Sequence, residues 1–581
     1  MRPAIDPRRG DIEDDASSSK RRSLLSLAGS LFAEISLPKL AVAFTLLVAV
    51  PALTLGIAPI LAAIWFGKLS GKLATALTGF WPAILLAIVA AVGWFGGRPL
   101  FRLAENSFWS FNSLLVQPAY AICREALRQL AERLLPVAAT GMQRARLRAA
   151  AAVVSGGMIC AVALLVLVVV LPHADLLRGA AGVGSPSHLA AVALANTVVL
   201  VAGYLAAAAL IWGIADATMA QPRDLEHFDE GPADGRTWRI AHLSDVHVVG
   251  ERYGFRLESG RSGPRCNGRL RRLLAQLEML HASDPLDAIV VSGDMTDAGR
   301  SSEWAEFLDA VSRHPTLAER MLIIPGNHDL NIVDRANPAR LDLPTSPNKR
   351  LRKLRVLSAM VAVQGERVRV VDRAGGRVGA TLASTLKPHL KEMARFADVG
   401  RPWLSKRLTE LWTSVFPMVL PPDSDDGLGI VLLDSNADTH FSFTNALGMI
   451  SADQARGLDI ARTQYPRACW VVALHHHVVE YPRAAKALSE RVGTALINGN
   501  WFVRRLKPLA GRAVLMHGHR HIDWIGECGG IPILSAPSPV MEATDDATTC
   551  FYIHTLAVGS DRRLRLLRPQ RITVEGEPSS R

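Results

Sequence analysis

Between residues 37 and 215 the chain runs through four apolar stretches almost free of charge, roughly 39–66, 80–96, 150–172 and 189–214. Few soluble folds can absorb such runs. A hydrocarbon core about 30 Å thick takes about 20 helical residues to cross, and inside it every backbone group has to be paired within the helix. The first, third and fourth runs are long enough. The second is short, but Trp81 and Trp94 stand at its two ends, where interfacial aromatics sit. Residues 37–215 are therefore expected to form an all-α transmembrane region of about four helices, behind a disordered polar tail at 1–36.

The connecting segments set the orientation. Segment 98–149 carries Arg98, Arg102, Arg124, Arg128, Arg133, Arg144, Arg146 and Arg148 against Glu105, Glu125 and Glu132. Segment 67–79 holds Lys68 and Lys72, and segment 173–188 holds Arg178. Basic residues mark the cytoplasmic side. The expectation is a multi-pass protein of the cell inner (plasma) membrane, with the tail, segment 98–149 and everything after 214 in the cytoplasm. Arginine beside apolar spans also accounts for much of the net charge of +12, so no nucleic-acid partner is expected. Within 98–149, Leu127, Leu130 and Leu134 share one helical face. They suit either a solvated connector or a helix lying on the membrane surface. The six cysteines have no CxxC spacing and read as free thiols.

After residue 235 the pattern changes to alternating strands and helices, the signature of an α/β sandwich. The apolar runs end in polar residues of a few kinds. "RIAHLSDVH" ends in Asp245 and His247, "IVVSGDMTD" in Asp294 and Asp297, and "MLIIPGNHD" in Asn327, His328 and Asp329. "WVVALHHH" ends in His475, His476 and His477, and "AVLMHGHRH" in His517, His519, Arg520 and His521. Open α/β sheets build sites at the C-terminal ends of their strands. Five such ends bearing Asp, Asn and His make a metal site the economical reading. The absence of Cys among them favours Mn²⁺, Fe²⁺, Zn²⁺ or Mg²⁺ over a thiolate-bound structural zinc. A carboxylate bridging two ions would hold a hydroxide between them.

The motifs "DVH", "GDMTD", "GNHD", "HHH" and "GHRH", in this order over residues 240–525, resemble the calcineurin-like metallophosphoesterases. The stretch "GMISADQARGLDIART" is similar to the branch containing class III cyclic-nucleotide phosphodiesterases. The resemblance implies a four-layer α/β metallophosphoesterase sandwich over 236–575 and two divalent metal ions. It implies that Asp245, His247 and His521 hold one metal, that Asp294 bridges, and that Asn327, His519 and one histidine of the 475–477 run hold the other. His475 is first off the strand and His476 is next. It also implies that His328 touches the phosphate and assists the leaving group, oriented by Asp297. The branch's His-His-Pro-Pro turn is missing from "HHHVVEYP". An insertion, 331–428, contains basic "NKRLRKLR" (348–355), which suits either a solvated helix face or contact with phosphates of a substrate or lipid.

The function expected is a membrane-anchored hydrolase acting on a phosphomonoester or phosphodiester, whether cyclic nucleotide, nucleotide or phospholipid. The rival is a catalytically weak membrane receptor or scaffold built on the same fold. Oligomeric state has no signature in the sequence.

Overall fold

The computed structural model describes residues 3–9, 40–42, 44–76, 116–136, 140–176, 185–231, 235–252, 266–333, 340–342, 346–400, 402–440, 442–482, 494, 496–541 and 548–576. The chain divides into two units, residues 37–219 and residues 1–36 with 220–581.

In the larger unit the strands, in chain order, are β1 (Arg223–Asp224), β2 (Arg236–Leu243), β3 (Ala288–Val291), β4 (Met321–Ile323), β5 (Arg369–Asp372), β6 (Arg377–Thr381), β7 (Met418–Leu420) and β8 (Leu428–Leu432). They continue with β9 (Cys469–Ala473), β10 (Ala513–His517), β11 (Trp524–Cys528), β12 (Ile531–Ser535), β13 (Thr549–Val558), β14 (Leu564–Leu566) and β15 (Gln570–Val574). Two mixed sheets result. One has the order β14-β13-β2-β3-β4, with β15 also on β13, and the other β1-β11-β12-β10-β9-β8-β7-β5-β6. At the heart of the first, β2, β3 and β4 run parallel. In the second, β8, β9, β10 and β12 do the same. Parallel strands are covered on both faces, so they read as unbroken apolar runs rather than alternating ones. Every residue of β3, β8, β9 and β10 is buried. A single apolar core draws Ile289 and Val291 from one sheet and Val471, Ala473 and Met516 from the other. The C-terminal ends of both parallel sets therefore open at one edge.

The insertion adds β5, β6 and β7 to the far side of the nine-stranded sheet. Its basic run lies in the helix Pro347–Gln364 and is largely internal, with Lys349, Arg352 and Arg355 buried. Arg352 donates to the Leu330 carbonyl at 2.9 Å and pairs with Asp342. Arg355 donates to the Gly299 carbonyl at 2.9 Å, and Lys349 to that of Thr439 at 2.6 Å. These cations tie the insertion down, in place of the solvated face or phosphate contact expected of them. Residues 3–9, expected to belong to a disordered tail, also pack on this unit through buried Ile5 and Pro7.

In the smaller unit two helices are long and apolar enough to cross a membrane, Met142–His173 and Pro186–Ala217. A third, Val50–Ala76, has a shorter apolar part, Val50–Trp65. The expected run 80–96 lies outside the described residues. The two long helices meet through small residues. A Cβ on Gly156 would lie 2.6 Å from the Ala209 carbonyl oxygen, and one on Gly213 would lie 2.9 Å from that of Ala152. Only backbones without side chains between them approach so closely. Asn196, buried in the helix Pro186–Ala217, donates to the Gly56 carbonyl of the helix Val50–Ala76 at 3.0 Å.

The helix Gln117–Arg133 faces the other way from a soluble amphipathic helix. Ile122, Leu130 and Leu134 are exposed, whereas Tyr120, Glu125 and Arg128 are buried. Tyr120 donates to Asp216 at 2.9 Å, Arg124 pairs with Asp216, and Arg128 pairs with Glu125 at 2.7 Å.

Candidate metal centre

Strand β2 delivers Asp245 and His247, β3 delivers Asp294, and β4 delivers Asn327 and His328. From the other sheet β9 delivers His475, and β10 delivers His519 and His521. The backbone at these ends is unusual. Among the described residues the non-glycine positions with left-handed φ are Asp245 (54°), His247 (42°), Asp294 (51°), His519 (76°), His521 (51°) and Arg562 (58°). Five of these six are expected ligands. Side chains resist this region, and it persists where surrounding structure over-determines it, typically at functional sites. Glycines make the close approach feasible. A Cβ on Gly326 would stand 2.0 Å from Asp294 Oδ1, and one on Gly293, itself at φ 110°, would stand 2.2 Å from the His475 ring.

Three groups of side chains converge, Asp245–His247–His521, Asp294–His475–His519 and, sharing His247 with the first, His247–Asp297–His328. The first two are the expected ligand sets. In the second, His475 Nε2 lies 3.1 Å from Asn327 Oδ1, 3.1 Å from His519 Nδ1 and 3.4 Å from Asp294 Oδ2. In the first, His521 Nε2 is 3.3 Å and His247 Nε2 4.0 Å from Asp245 Oδ1. His247 Nε2 is also 3.7 Å from Asp294 Oδ2, which therefore faces both groups. Donor atoms sharing one ion at about 2.1 Å stand about 3.0–3.4 Å apart in tetrahedral or octahedral arrangement. The second group matches that spacing and the first is slightly wider. The donor set of carboxylate, amide and imidazole suits two divalent ions.

The electrostatics agree. Burial opposes charge on Asp245, but His521 outweighs it and holds the carboxyl at about 2. Burial also opposes charge on Asp294, and His475 and His328 hold that carboxyl below the usual carboxylate range. Burial alone would discharge His475, yet Asp294 holds its pKa up to about 9. A pocket whose carboxylates keep a proton on a fully buried imidazole attracts positive charge, and a metal ion would take that proton's place.

The sequence left His475 and His476 open. His475 Nε2 points at the other donors, and its Nδ1 donates to the Ser292 carbonyl at 2.9 Å, which orients the ring with Nε2 toward them. His476 turns away, its Nδ1 paired with Ser435 Oγ at 2.9 Å. Asp297 differs from expectation. His328 Nδ1 meets the Asp297 backbone carbonyl at 2.6 Å, while the Asp297 carboxylate lies 3.4 Å from His247 Nδ1. The strand turn brings the carbonyl round to His328 and sends the side chain to the neighbouring ligand.

Several supporting residues had no sequence signal. Ser435 Oγ accepts the backbone N–H of His475 and of His476, both at 3.1 Å. Ser538 donates to the Asp245 carbonyl at 2.7 Å. Asp329, the last residue of the "GNHD" motif, accepts from Gly326 N at 2.9 Å, Thr296 N at 2.9 Å and Thr296 Oγ1 at 2.6 Å, joining the β3 and β4 turns. A lone Ser is too common in loops to be marked by pattern. Asp329 was visible through its motif.

Residues 239–478 match the family model described as calcineurin-like phosphoesterase. The calcineurin-like phosphoesterase domain so indicated is confined to residues 239–478. The match includes Asp245, His247, Asp294, Asn327, His328 and His475 and ends before His519 and His521, which the fold brings to the same place. Solved structures with a similar fold include a dimetal phosphatase from Danio rerio, at 12% identity and TM-score 0.32, with 58% of this chain and 99% of that one covered. Another is the NAD nucleotidase of Haemophilus influenzae, at 11% identity and TM-score 0.31, with 59% and 51% covered. A third is a purple acid phosphatase from yellow lupin seeds, at 11% and 0.24, with 56% and 50% covered. This chain thus spans about half the length of the latter two. No curated protein sequence matches it.

Proposed function

We propose that this protein is a membrane-anchored, dinuclear metal-dependent phosphoesterase that hydrolyses a phosphomonoester or phosphodiester. The observation that carries the reading is the meeting of five strand ends from two sheets. Their Asp, Asn and His side chains face one another at ligand spacing on a backbone held in left-handed φ. Asp245, His247 and His521 would hold one ion, Asn327, His475 and His519 the other, with Asp294 between them. When bound, two such ions supply an activated water nucleophile and offset charge on the phosphoryl oxygens.

The chain's own groups supply the rest. The Asp297 carbonyl holds the Nδ1 proton of His328 and leaves Nε2 for the substrate. His328 rests edge-on against His247 with ring centres 4.6 Å apart, beside the donors. From there it would donate a proton to the departing oxygen. The Asp297 carboxylate, beside His247 Nδ1, would fix the tautomer that presents His247 Nε2.

Membrane anchoring rests on the smaller unit. Only 17% of the apolar window of Met142–His173 is buried, far less than the core helix of a soluble protein would have. The Arg excess in 98–149 favours both termini in the cytoplasm, with four spans in the inner membrane. A cyclic nucleotide, a nucleotide and a phospholipid are the substrate classes in view. Metal analysis of the whole chain, followed by a panel of cyclic nucleotide, bis-aryl diester, aryl monoester and phospholipid with Mn²⁺, tests the reading. About two ions per chain and turnover of one class are expected. One ion or none after full reconstitution would overturn it.

A further inference from the structure

Residues 3–9 lie some 350 positions in sequence from the residue they clasp. The Ile5 N–H donates to Ser358 Oγ at 2.8 Å, in the helix Pro347–Gln364. The Ile5 side chain is 5% exposed and belongs to the core of the phosphoesterase unit, with Ala4 packed beside it. Pro7 is buried. Arg8 Nε donates to Asp309 Oδ1 at 2.9 Å, on the helix Ser301–Ser312. Asp309 also pairs with Arg252 at 3.3 Å, in the segment that follows His247. An apolar side chain in the core, a backbone N–H on a buried hydroxyl and an ion pair form a specific docking site of modest size.

We propose that Pro3–Arg9 is an intramolecular clasp, a short segment that docks on the phosphoesterase unit and fixes the N-terminus to it. A consequence follows for the membrane region, resting on the anchoring proposed above. Both ends of residues 10–219 are tied to one folded unit, so both lie on one side of the bilayer and the number of crossings between them is even. The Ile5–Ser358 contact lies within the phosphoesterase unit, so this parity is independent of the arginine count. If the helix Val50–Ala76 crosses together with Met142–His173 and Pro186–Ala217, parity requires one more crossing. The run 80–96, short as it is, has the composition to supply it.

The whole chain in native membranes provides the test. Small tags at residue 1 and residue 581 are probed with protease on both faces. A second sample carries Ile5→Cys with Ser358→Cys and a specific protease site after residue 20. Oxidation should keep the N-terminal tag attached after cleavage until reductant releases it, and both tags should be reached from the same face. Hydrogen exchange on the wild-type chain guards against a variant that misfolds, with the Ile5 amide expected to be protected. Tags on opposite faces would overturn the proposal. So would a tag released without reductant together with rapid exchange at Ile5. Neither readout depends on phosphoesterase activity, so the clasp and the proposed chemistry fail separately.

Discussion

The two units use the same apolar residues in opposite ways. Strand β9, Cys469–Ala473, is buried at every position. The helix Gly141–Val170 is as apolar, yet Val162, Leu165, Val168 and Val169 lie 61–65% exposed. Burial of apolar surface stabilises a fold only where the alternative is water. The first unit hides its apolar residues from water in its own core, and the second leaves many of them exposed, which suits the bilayer proposed above. Polar residues invert in parallel. In the phosphoesterase unit buried Asp, Asn and His gather around a centre, whereas in the helical unit Asn196 and Asp216 join helices to one another. The same side-chain types therefore converge on a candidate centre in one unit and join helices in the other.

The comparison breaks first at Asp294. It faces both donor groups, so Asp294→Asn should lower metal content and reduce turnover by more than about 100-fold, the upper end of what even outer-shell changes cost. Metal analysis with a bis-aryl diester assay checks it, and retention of both ions with full rate would refute the bridging role. His328→Ala should keep its metals. It should lose about 10²–10⁴-fold on an alkyl or ribose ester, which needs a proton donor, and much less on a nitrophenyl ester. Equal losses on both would assign His328 to binding the phosphate.

A smaller effect separates stability from chemistry. Burial, reinforced by the charge of Asp297, pushes Glu303 up from 4.5 to about 8. A carboxyl raised in the folded state contributes stability fully present below pH 4.5 and lost as pH rises through about 8. Glu303→Gln should therefore flatten the fall in melting temperature between pH 4.5 and about pH 8. An unchanged slope would mean that its bonds from the Ala298 and Arg300 amides keep Glu303 ionised. The smallest effect belongs to the helical unit. Asn196→Leu should destabilise the detergent-solubilised chain by about 1 kcal/mol, the scale of interhelical hydrogen bonds. Metal content and rate per folded molecule should not change. A loss of metal in this variant would mean that the units are not independent.

The sequence by itself determined which residues could gather and in what order. The apolar runs ending in "DVH", "GDMTD", "GNHD", "HHH" and "GHRH" marked the candidate donors, because period, turn residues and side-chain type are local properties. It also marked the long apolar helices, since length and lack of charge suffice. Tertiary structure decided whatever depends on where a group points. It turned His475 Nε2 toward the other candidate donors, with Nδ1 on the Ser292 carbonyl, and paired His476 Nδ1 with Ser435. It turned the Asp297 carboxylate to His247 and left its carbonyl for His328. It buried Lys349, Arg352 and Arg355, whose spacing on paper suited an exposed face, because carbonyls and Asp342 awaited them inside. It also docked Ile5 on Ser358. Sequence pattern reports what each residue can do, but whether a charge meets water or a buried partner depends on chain segments hundreds of residues away.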